Sequence, residues 1–342
     1  MNKYILVECD NIESIHAGVK AVDDVICISK ALGCQEILIS HDNKKNILSL
    51  LRNQILYIKR LNQYNLNKND VVILQYPFSK FIVYRKRWLK KLKNKVKIVT
   101  IIHDVEELRE CYSNTYNENT FKTILKYSDY FIVHNERMKQ FFLNKNISSE
   151  NIIVLEIFDY LCNINSQKDI EFSYAITIAG NLDVKKSPYI GLLNRVNGVT
   201  FNLYGPNYEV DDRINNIHYK GIVQSDALPD ELHEGFGLVW DGTSIDSCDG
   251  PTGRYLRYNN PHKLSLYLVS GLPVIIWKKA AEADYVIRNN LGICVDSLYE
   301  LEEILPTITE KQYRKYCQNV KKIGIKLSRG DYMKAAINKT LE

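Results

Sequence analysis

The sequence predicts an α/β protein built of two doubly wound, Rossmann-like domains that face a central cleft. Short apolar runs rich in β-branched residues alternate with amphipathic stretches along the whole chain, which is the pattern of parallel βα units. The 342 residues also exceed what one hydrophobic core usually supports, so we expect two domains. Ligands of such domains bind at the carboxyl ends of the parallel strands.

The first half of the chain contains six predicted strands and five predicted helices. The strands are expected at residues 4–8, 36–40, 71–75, 97–103, 130–134 and 151–157. The helices are expected at residues 17–32, 43–53, 79–94, 118–127 and 135–144. The opening run "MNKYILVECD" ends in acidic residues, so it is predicted to be the first strand and not a signal peptide.

The second half shows the same alternation after the polar stretch "NINSQKDIEF", residues 163–172. Its strands are expected at residues 174–180, 200–205, 217–221, 236–240, 272–276 and 291–295. Polar stretches that few contacts cross commonly link domains. We therefore predict a first domain at residues 1–165 and a second domain at residues 166–328.

The composition is that of an ordinary globular protein, with 45% hydrophobic and 25% charged residues. The net charge of +5 is mild and widely spread, so charge alone does not choose among a small polyanion, a membrane surface and nucleic acid. No nucleic-acid partner is predicted. Eight cysteines without a C-x-x-C pair or zinc-ligand spacing predict reduced thiols in a cytoplasmic protein. No apolar run is long enough to predict a transmembrane helix.

The stretch "YNNPHKLSLYLVSGLPVI", residues 258–275, sets a polar cluster at the start of an apolar helix. A helix start exposes backbone N–H groups and the positive end of the helix dipole, so it suits an anion. Lys263 in the first turn would oppose that dipole unless its ammonium and the N–H groups share a phosphate. Asn260 and His262 belong to the same cluster, which is therefore predicted to bind an anion.

Two arginines, Arg254 and Arg257, lie on the approach to this helix start. Guanidinium groups suit bidentate contacts with phosphate, whereas either arginine alone would be typical of a solvated surface. The combination of two arginines, His262 and Lys263 favours the anion site.

A second candidate segment follows the first strand of the second domain and consists of Gly180, Asn181 and Leu182. Glycine permits a ligand to approach the backbone closely. Taken alone, however, these three residues are more typical of a simple strand-to-helix turn.

Three carboxylates, Asp241, Asp246 and Asp249, lie in the long polar loop 240–263 and raise the question of a metal site. Their spacing lacks the alternation of a calcium loop, and the chain contains no D-x-D motif. We favour loop polarity with one ligand contact, and no metal is predicted.

In the first domain, His103 and Asp104 end a strand at the edge where catalytic groups accumulate in such sheets. An alternative of equal weight is that Asp104 caps the following helix, with Glu106 and Glu107 in its first turn. Gly18 precedes a helix after the first strand, and one glycine is only a weak indication of an anion site.

The run "KFIVYRKRWLKKLKNKVK", residues 80–97, carries nine lysines and arginines. Phe81, Tyr84, Trp88 and Leu92 recur in it at helical spacing and form an apolar stripe with a basic rim. A solvated basic helix that packs by this stripe is the default interpretation. The alternative is a peripheral contact with anionic lipid at the inner membrane surface.

Seven motifs are spread over nearly the whole chain. They are "AGVKAVDD" (17–24), "IHDVEELR" (102–109), "VHNERM" (133–138), "FDYL" (158–161), "AGNL" (179–182), "GFGLVWDG" (235–242) and "NNPHKLSLYLVSGLPVI" (259–275). They resemble motifs of bacterial glycosyltransferases of the two-domain GT-B type, and the last two are the most specific. The resemblance is greatest to galactofuranosyltransferases of polysaccharide synthesis and to glucosyltransferases that extend glycans on serine-rich-repeat adhesins.

The resemblance implies transfer of a hexose (galactofuranose, glucose or galactose) from a UDP-sugar, with no cofactor besides this donor substrate. A lysine at the Lys263 position contacts the nucleotide diphosphate in such enzymes, and the uracil is expected near Val223. More general relatives carry an acidic residue a few places further on, whereas this chain has Ser265, Leu266 and Tyr267. The implied acceptor is a glycan that is lipid-linked or carried by a glycoprotein.

This chemistry defines what the site residues must do. The diphosphate leaves with growing negative charge, and without a D-x-D metal motif that charge must be met by fixed cations and helix N-termini. Lys263, His262 and Arg254 or Arg257 are suited to that role.

An inverting reaction would also need a base from the first domain. Asp104 or His103 is the candidate, with His16 and Glu13 behind them, whereas a retaining reaction needs none of these.

Two other functions remain as alternatives, namely a UDP-sugar epimerase of the same fold and a non-catalytic, glycosyltransferase-like binding subunit. The resemblance further implies that the C-terminal helix, residues 329–342, packs back on the first domain. Related enzymes also make homo-oligomers plausible.

Overall fold

The computed structural model describes residues 1–10, 17–41, 47–78, 82–109, 115–164, 168–209 and 214–342. This part of the chain forms two compact units, each with its own buried core. Residues 156–332 belong to unit 2, together with the start of α1 (Ala17–Ala31) as far as Ala21. The rest of the chain up to Leu155, and the C-terminal residues Met333–Glu342, belong to unit 1.

Unit 1 contains a six-stranded sheet flanked by helices. Its strands are β1 (Lys3–Asp10), β2 (Gln35–His41), β3 (Val71–Tyr76), β4 (Lys97–Ile102), β5 (Tyr130–Val133) and β6 (Ile152–Val154). After α1, its helices are α2 (Ile47–Gln63), α3 (Ile82–Leu92), α4 (Glu106–Arg109), α5 (Thr115–Tyr127) and α6 (Glu136–Asn144), with a 3₁₀ turn at Ser149–Asn151.

Unit 2 contains a second six-stranded sheet. Its strands are β7 (Glu171–Ala179), β8 (Phe201–Tyr204), β9 (Ile217–Tyr219), β10 (Glu234–Val239), β11 (Val274–Trp277) and β12 (Gly292–Val295). The α-helices are α7 (Leu228–Glu231), α8 (Gly250–Tyr255), α9 (His262–Ser270), α10 (Ala283–Arg288), α11 (Leu301–Ile304), α12 (Glu310–Ser328) and α13 (Asp331–Leu341), the last of which continues into unit 1. The 3₁₀ helices are Pro188–Arg195, Leu298–Glu300 and Leu305–Thr307.

Every strand pair in both sheets is parallel. The strand order is β2-β1-β3-β4-β5-β6 in unit 1 and β12-β11-β10-β7-β8-β9 in unit 2. The order reverses between β1 and β3 in the first sheet and between β7 and β10 in the second. In open α/β sheets, ligands bind in the crevice at the carboxyl ends of the strands beside such a switch point.

The predicted strands are present, and β3, β4, β10 and β11 are buried over nearly their whole length, as uninterrupted apolar runs in parallel sheets predict. The C-terminal end of α2 differs from its prediction: the helix was expected at residues 43–53 but extends to Gln63, and residues 43–46 lie outside the described residues. Tyr57 and Leu61 are 1% and 3% exposed and continue its buried face by one and two turns beyond Asn53. Asn53 is itself buried, and the helix continues through it.

The domain limits stay a prediction, and residues 165–167 of the predicted linker lie outside the described residues. At the C-terminus, the Lys97 ammonium donates a hydrogen bond of 2.7 Å to the carbonyl of Thr340 within unit 1. In the part of the chain that the structure describes, no helix is both long and apolar enough to cross a membrane.

Candidate functional site

The switch point of unit 2 brings the end of β7 beside the end of β10. Ile176 pairs with Phe236 and Thr177 with Gly237, and Gly180 and Trp240 are the residues that directly follow these two strands at the carboxyl edge of the sheet. This edge is the location that the topology favours for a ligand.

Three glycines form the floor of this edge, and we call Gly180, Gly205 and Gly221 the glycine floor. They follow β7, β8 and β9, and all have positive φ, at 138°, 141° and 88°. The backbone N–H of Gly205 donates to the carbonyl of Gly221 at 2.8 Å, and a Cβ added at Gly205 would lie 1.8 Å from the carbonyl oxygen of Gly180. The strand ends therefore pack backbone against backbone, which gives a ligand close access to the main chain.

Asn181 and Leu182 organise the turn after Gly180. The side-chain oxygen of Asn181 accepts hydrogen bonds of 3.0 Å from the N–H of Asp183 and from the amide of Asn207. Leu182 is fully buried, and its N–H donates to the carbonyl of Pro206 at 3.0 Å. The predicted strand-to-helix turn is thus anchored to the neighbouring turn after β8.

Helix α9 is held against β7 and β10 by Tyr267. The ring of Tyr267 lies where a side chain on Gly237 would be, since a Cβ there would be 2.1 Å from the ring. The hydroxyl of Tyr267 accepts a hydrogen bond of 2.9 Å from the N–H of Ala179. Lys263 precedes Tyr267 by four residues, so both project from the same face of the helix towards the sheet.

Lys263 accordingly reaches the switch point. Its ammonium donates a hydrogen bond of 3.0 Å to the carbonyl of Trp240, the residue that follows β10. An ammonium has three N–H donors, and among the described residues Lys263 has no other hydrogen-bond partner. A cation thus stands beside the glycine floor with donors left for an anionic ligand.

The rest of the polar cluster holds the chain segment that follows β6. The amide of Asn260 donates to the carbonyl of Glu156 at 2.9 Å, and the hydroxyl of Ser265 donates to the carbonyl of Phe158 at 2.5 Å. Nε2 of His262 lies 3.0 Å from the carbonyl of Asp159. Asn260, His262 and Ser265 therefore fix backbone over a hundred residues away in sequence.

The ring of His262 also stacks on Tyr160, with centroids 4.9 Å apart. Since a carbonyl can only accept, Nε2 must carry a proton. Burial, assisted by the charge of Lys20, lowers the pKa of His262 to about 4. At neutral pH its buried Nδ1 is therefore unprotonated, and it has no partner among the described residues. This geometry does not support the predicted contact between His262 and a phosphate.

Arg254, Arg257 and Val223 were the other residues that the sequence predicted for this site. Arg254 and Arg257 are exposed, and the guanidinium of Arg257 stands over the ring of Trp277 at 5.1 Å. Val223 is half-buried and packs on the core after β9. Gly205 and Gly221 were not selected as site residues from the sequence. Each ends a short predicted strand, however, and this is the feature by which Gly180 was selected.

The three loop aspartates bind their own loop. Asp241 accepts from the N–H of Gly242 at 2.9 Å, and Asp246 accepts from the hydroxyl of Ser244 at 2.9 Å. Asp249 accepts from the hydroxyl of Ser247. Within the described ranges, no group of three or more His, Cys, Asp and Glu side chains could hold a metal ion.

At the carboxyl edge of unit 1, His103 and Asp104 follow β4 as predicted. Nε2 of His103 lies 2.7 Å from the side-chain oxygen of Gln75, and Asp104 forms an ion pair of 3.5 Å with Arg109. Helix α4 begins at Glu106, one residue later than expected. Gly18 lies in the first turn of α1. The predictions for Glu13 and His16 lie outside the described residues.

A buried ion pair at the carboxyl edge of the unit 1 sheet was not predicted from the sequence. Arg85 on α3 is 1% exposed and pairs with Glu8 on β1. Its Nε donates to the hydroxyl of Tyr57 at 3.1 Å, and its guanidinium lies 4.0 Å from the ring centre of Phe78. The sequence indicated the burial of Arg85 only by its position, because Arg85 lies three residues before Trp88 and therefore on the same face of the helix.

Comparison with known proteins identifies the family. The model of the "Glucosyltransferase 3-like, N-terminal domain" matches residues 3–157, and that of the C-terminal domain matches residues 176–340. Beta-1,6-galactofuranosyltransferase WbbI of Escherichia coli (strain K12) is 34% identical over 282 residues, which are 81% of each chain. Glucosyltransferase 3 of Streptococcus gordonii is 29% identical over 270 residues, 78% of each.

Two solved structures share the fold at low sequence identity. Anabaena Alr3699/HepE in complex with UDP superposes with a TM-score of 0.68 at 13% identity, over 100% of this chain and 99% of that chain. The lipopolysaccharide outer core galactosyltransferase WaaB, in its apo form, gives 0.61 at 11% identity, over 98% and 99%. The predicted GT-B fold and the predicted resemblance are both confirmed. The chain belongs to the Glucosyltransferase 3-like family of glycosyltransferases.

Proposed function

We propose that this protein transfers a hexose from a UDP-sugar to a glycan acceptor in polysaccharide or glycoprotein synthesis. The observation that carries the proposal is the ammonium of Lys263 beside the glycine floor at the switch point of unit 2. The names of the relatives support a hexose as the transferred group, and the UDP complex of HepE supports UDP as the nucleotide.

In this proposal, the diphosphate of the donor lies between Lys263 and the turn at Gly180. Cleavage at the anomeric carbon moves negative charge onto the leaving diphosphate, and a fixed ammonium stabilises that charge without any proton transfer. The hydrogen bond from Lys263 to Trp240 holds the ammonium before the donor arrives, so little reorganisation is needed.

We further propose that the transfer needs no metal ion and that the uracil lies near Val223. The loop aspartates Asp241, Asp246 and Asp249 already accept hydrogen bonds from their own loop, which supports the first point. Asp104 is proposed as the acceptor base should the reaction invert configuration. A cytoplasmic enzyme at the inner membrane surface would meet both UDP-sugars and lipid-linked acceptors.

Product analysis with UDP-glucose, UDP-galactose and UDP-galactofuranose tests the proposal, each with and without a lipid-linked or glycoprotein acceptor. We expect UDP release that requires the acceptor, together with a product heavier by one hexose. Interconversion of UDP-sugars without acceptor would instead indicate an epimerase. Absence of turnover with every pair would indicate a binding subunit.

A further inference from the structure

Helix α2 exposes an unusual amount of apolar surface. Leu48, Leu51 and Ile55 are 79%, 55% and 64% exposed. Their spacing of three and four residues sets them on one face of the helix, and we call them the α2 stripe. Scattered exposed leucines are ordinary, but a contiguous stripe usually marks an interaction surface.

The apolar face of α3 is, by contrast, buried. Trp88, Leu89 and Leu92 are 7%, 0% and 5% exposed. Of the stripe that the sequence predicted in this basic run, Tyr84, Trp88 and Leu92 pack on the core, and Phe81 lies outside the described residues. What α3 presents to solvent is charge, and the cations of its exposed face are Lys86, Arg87, Lys90 and Lys91.

The two helices are neighbours, since Arg85 of α3 donates to the hydroxyl of Tyr57 of α2. Arg52, Lys59 and Arg60 are the exposed cations of α2. Neither helix contains an aspartate or glutamate. Among the described residues, no ion pair neutralises the exposed cations of the two helices. The surface thus combines the α2 stripe with seven unneutralised positive charges.

We propose that this surface of α2 and α3 docks on an anionic phospholipid bilayer. Apolar side chains that enter the interface and cations that meet acidic headgroups are the two requirements for reversible attachment of an interfacial helix. A second copy of the chain fits less well, because symmetric pairing of this surface would oppose like charges. The docking surface lies wholly in unit 1. Its test measures binding to lipid and does not require sugar transfer by the protein.

Co-sedimentation with vesicles tests this proposal on the full chain. We expect binding to vesicles of phosphatidylcholine with phosphatidylglycerol at low salt and at least several-fold less binding to phosphatidylcholine alone. The variant K86Q/R87Q/K90Q/K91Q should lose most of the salt-sensitive binding. Three unit 2 lysines exposed on α12 provide the matched control, K311Q/K315Q/K322Q, which should bind as the wild type does.

The α2 stripe is tested by L48Q/L51Q/I55Q, which should reduce partitioning roughly tenfold or more because three apolar side chains no longer enter the interface. Ile287→Gln, at an equally exposed isoleucine of unit 2, should leave partitioning unchanged. Thermal unfolding checks that the triple variant folds, and Leu51→Gln alone replaces it if it does not.

Two outcomes would overturn the proposal. One is a wild-type protein that stays in the supernatant with anionic vesicles at low salt. The other is a wild-type dimer in sedimentation without lipid that the α2 stripe variant converts to a monomer, which would assign the stripe to self-association. UDP binding should be the same in all these variants, so a failure here is distinguishable from a failure of the proposed transferase.

Discussion

At the switch point of unit 2, glycines directly follow two neighbouring strands, whereas polar side chains lie at the carboxyl edge of the sheet in unit 1. Gly180 and Gly205 leave the ends of β7 and β8 without side chains, and the ammonium of Lys263 binds the residue that follows the neighbouring strand β10. Such an edge suits a ligand that carries its own charge and binds through the backbone.

In unit 1 the polar side chains at the edge already bind one another. His103 contacts Gln75, and Asp104 pairs with Arg109. The difference supports the proposal that two similar folds are used differently: the edge of unit 2 would bind the anionic donor, and the edge of unit 1 would meet an acceptor hydroxyl with fixed polar side chains.

The strongest test of unit 1 is Asp104→Asn. If Asp104 is the base of an inverting reaction, the variant should lose about 10²–10⁴-fold in turnover, because an amide cannot take a proton. UDP affinity should be unchanged, since that site is proposed in unit 2. Steady-state kinetics and titration with UDP measure the two effects.

Glu106→Gln is the matched control, because Glu106 also pairs with Arg109, at 3.7 Å. It should retain turnover within a few-fold. Near-normal turnover of Asp104→Asn would remove Asp104 from the chemistry and leave the edge of unit 1 with a binding role only.

A buried carboxyl in unit 2 gives the second prediction. Glu282 is 1% exposed, and neither of its oxygens has a partner among the described residues. Burial raises the pKa of Glu282 well above its ordinary value. Above about pH 4.3 the unfolded chain ionises this group while the folded chain keeps the proton, so folding stability falls as the pH rises.

Glu282→Met should therefore stabilise the protein by about 1–3 kcal/mol at neutral pH and by less at pH 4. Denaturant unfolding at both pH values measures this gain. Glu303→Met, at an exposed glutamate of α11, is the control and should change stability little. If Glu282→Met is less stable than the wild type, the Glu282 carboxyl must make a stabilising contact in the folded protein, and the prediction is wrong.

His134 in unit 1 and His262 in unit 2 are histidines that burial keeps neutral. Burial lowers the pKa of His134 in unit 1, as of His262 in unit 2, to about 4. Between pH 6.5 and 4 the unfolded chain binds protons that the folded chain does not, so stability falls as the pH falls. One such histidine can contribute at most about 1.4 kcal/mol per pH unit.

His134→Gln should make unfolding less dependent on pH in this range, because glutamine keeps a donor for the carbonyl of Ile102, 3.0 Å away, and does not titrate. Denaturant unfolding at pH 7 and pH 5 measures the difference. An unchanged dependence on pH would show that His134 titrates alike in both states.

The smallest expected effect is that of metal removal. Transfer activity should survive EDTA, because the loop aspartates of unit 2 bind their own loop and Lys263 supplies the positive charge. Activity assays with EDTA and after added Mg²⁺ or Mn²⁺ measure this. A strict requirement for either ion would mean that a metal ion, and not Lys263 alone, neutralises the charge of the leaving diphosphate. The edge of unit 2 would then differ less from that of unit 1.

The strands of both sheets were predictable from sequence, because buried parallel strands leave uninterrupted apolar runs. Lys263 was selected from sequence because a cation in the first turn of an apolar helix conflicts with the helix dipole, and its role stays a prediction. The partners of Asn260 and His262 were not, because Glu156 and Asp159 are 104 and 103 residues away in sequence. Only the tertiary fold reveals which polar groups of a cluster are already bonded.

The end of α2 was unpredictable for another reason. Asn53 has the sequence character of a helix end, but its burial beside Tyr57 overrides that preference. The exposed α2 stripe could not be recognised either, because sequence periodicity shows an apolar face without showing whether a core covers it.

The central claim, that the diphosphate binds at Lys263, is tested most directly by calorimetric titration of UDP into Lys263→Ala. A charge-assisted hydrogen bond is worth about 1.5–3 kcal/mol, so the affinity for UDP should fall about 10- to 150-fold. Lys278→Ala is the matched control, because Lys278 follows β11 at the same edge and pairs with Asp296 at 3.2 Å. We expect that control to bind UDP within about twofold of the wild type. Wild-type affinity for UDP in a folded Lys263→Ala protein would contradict the account.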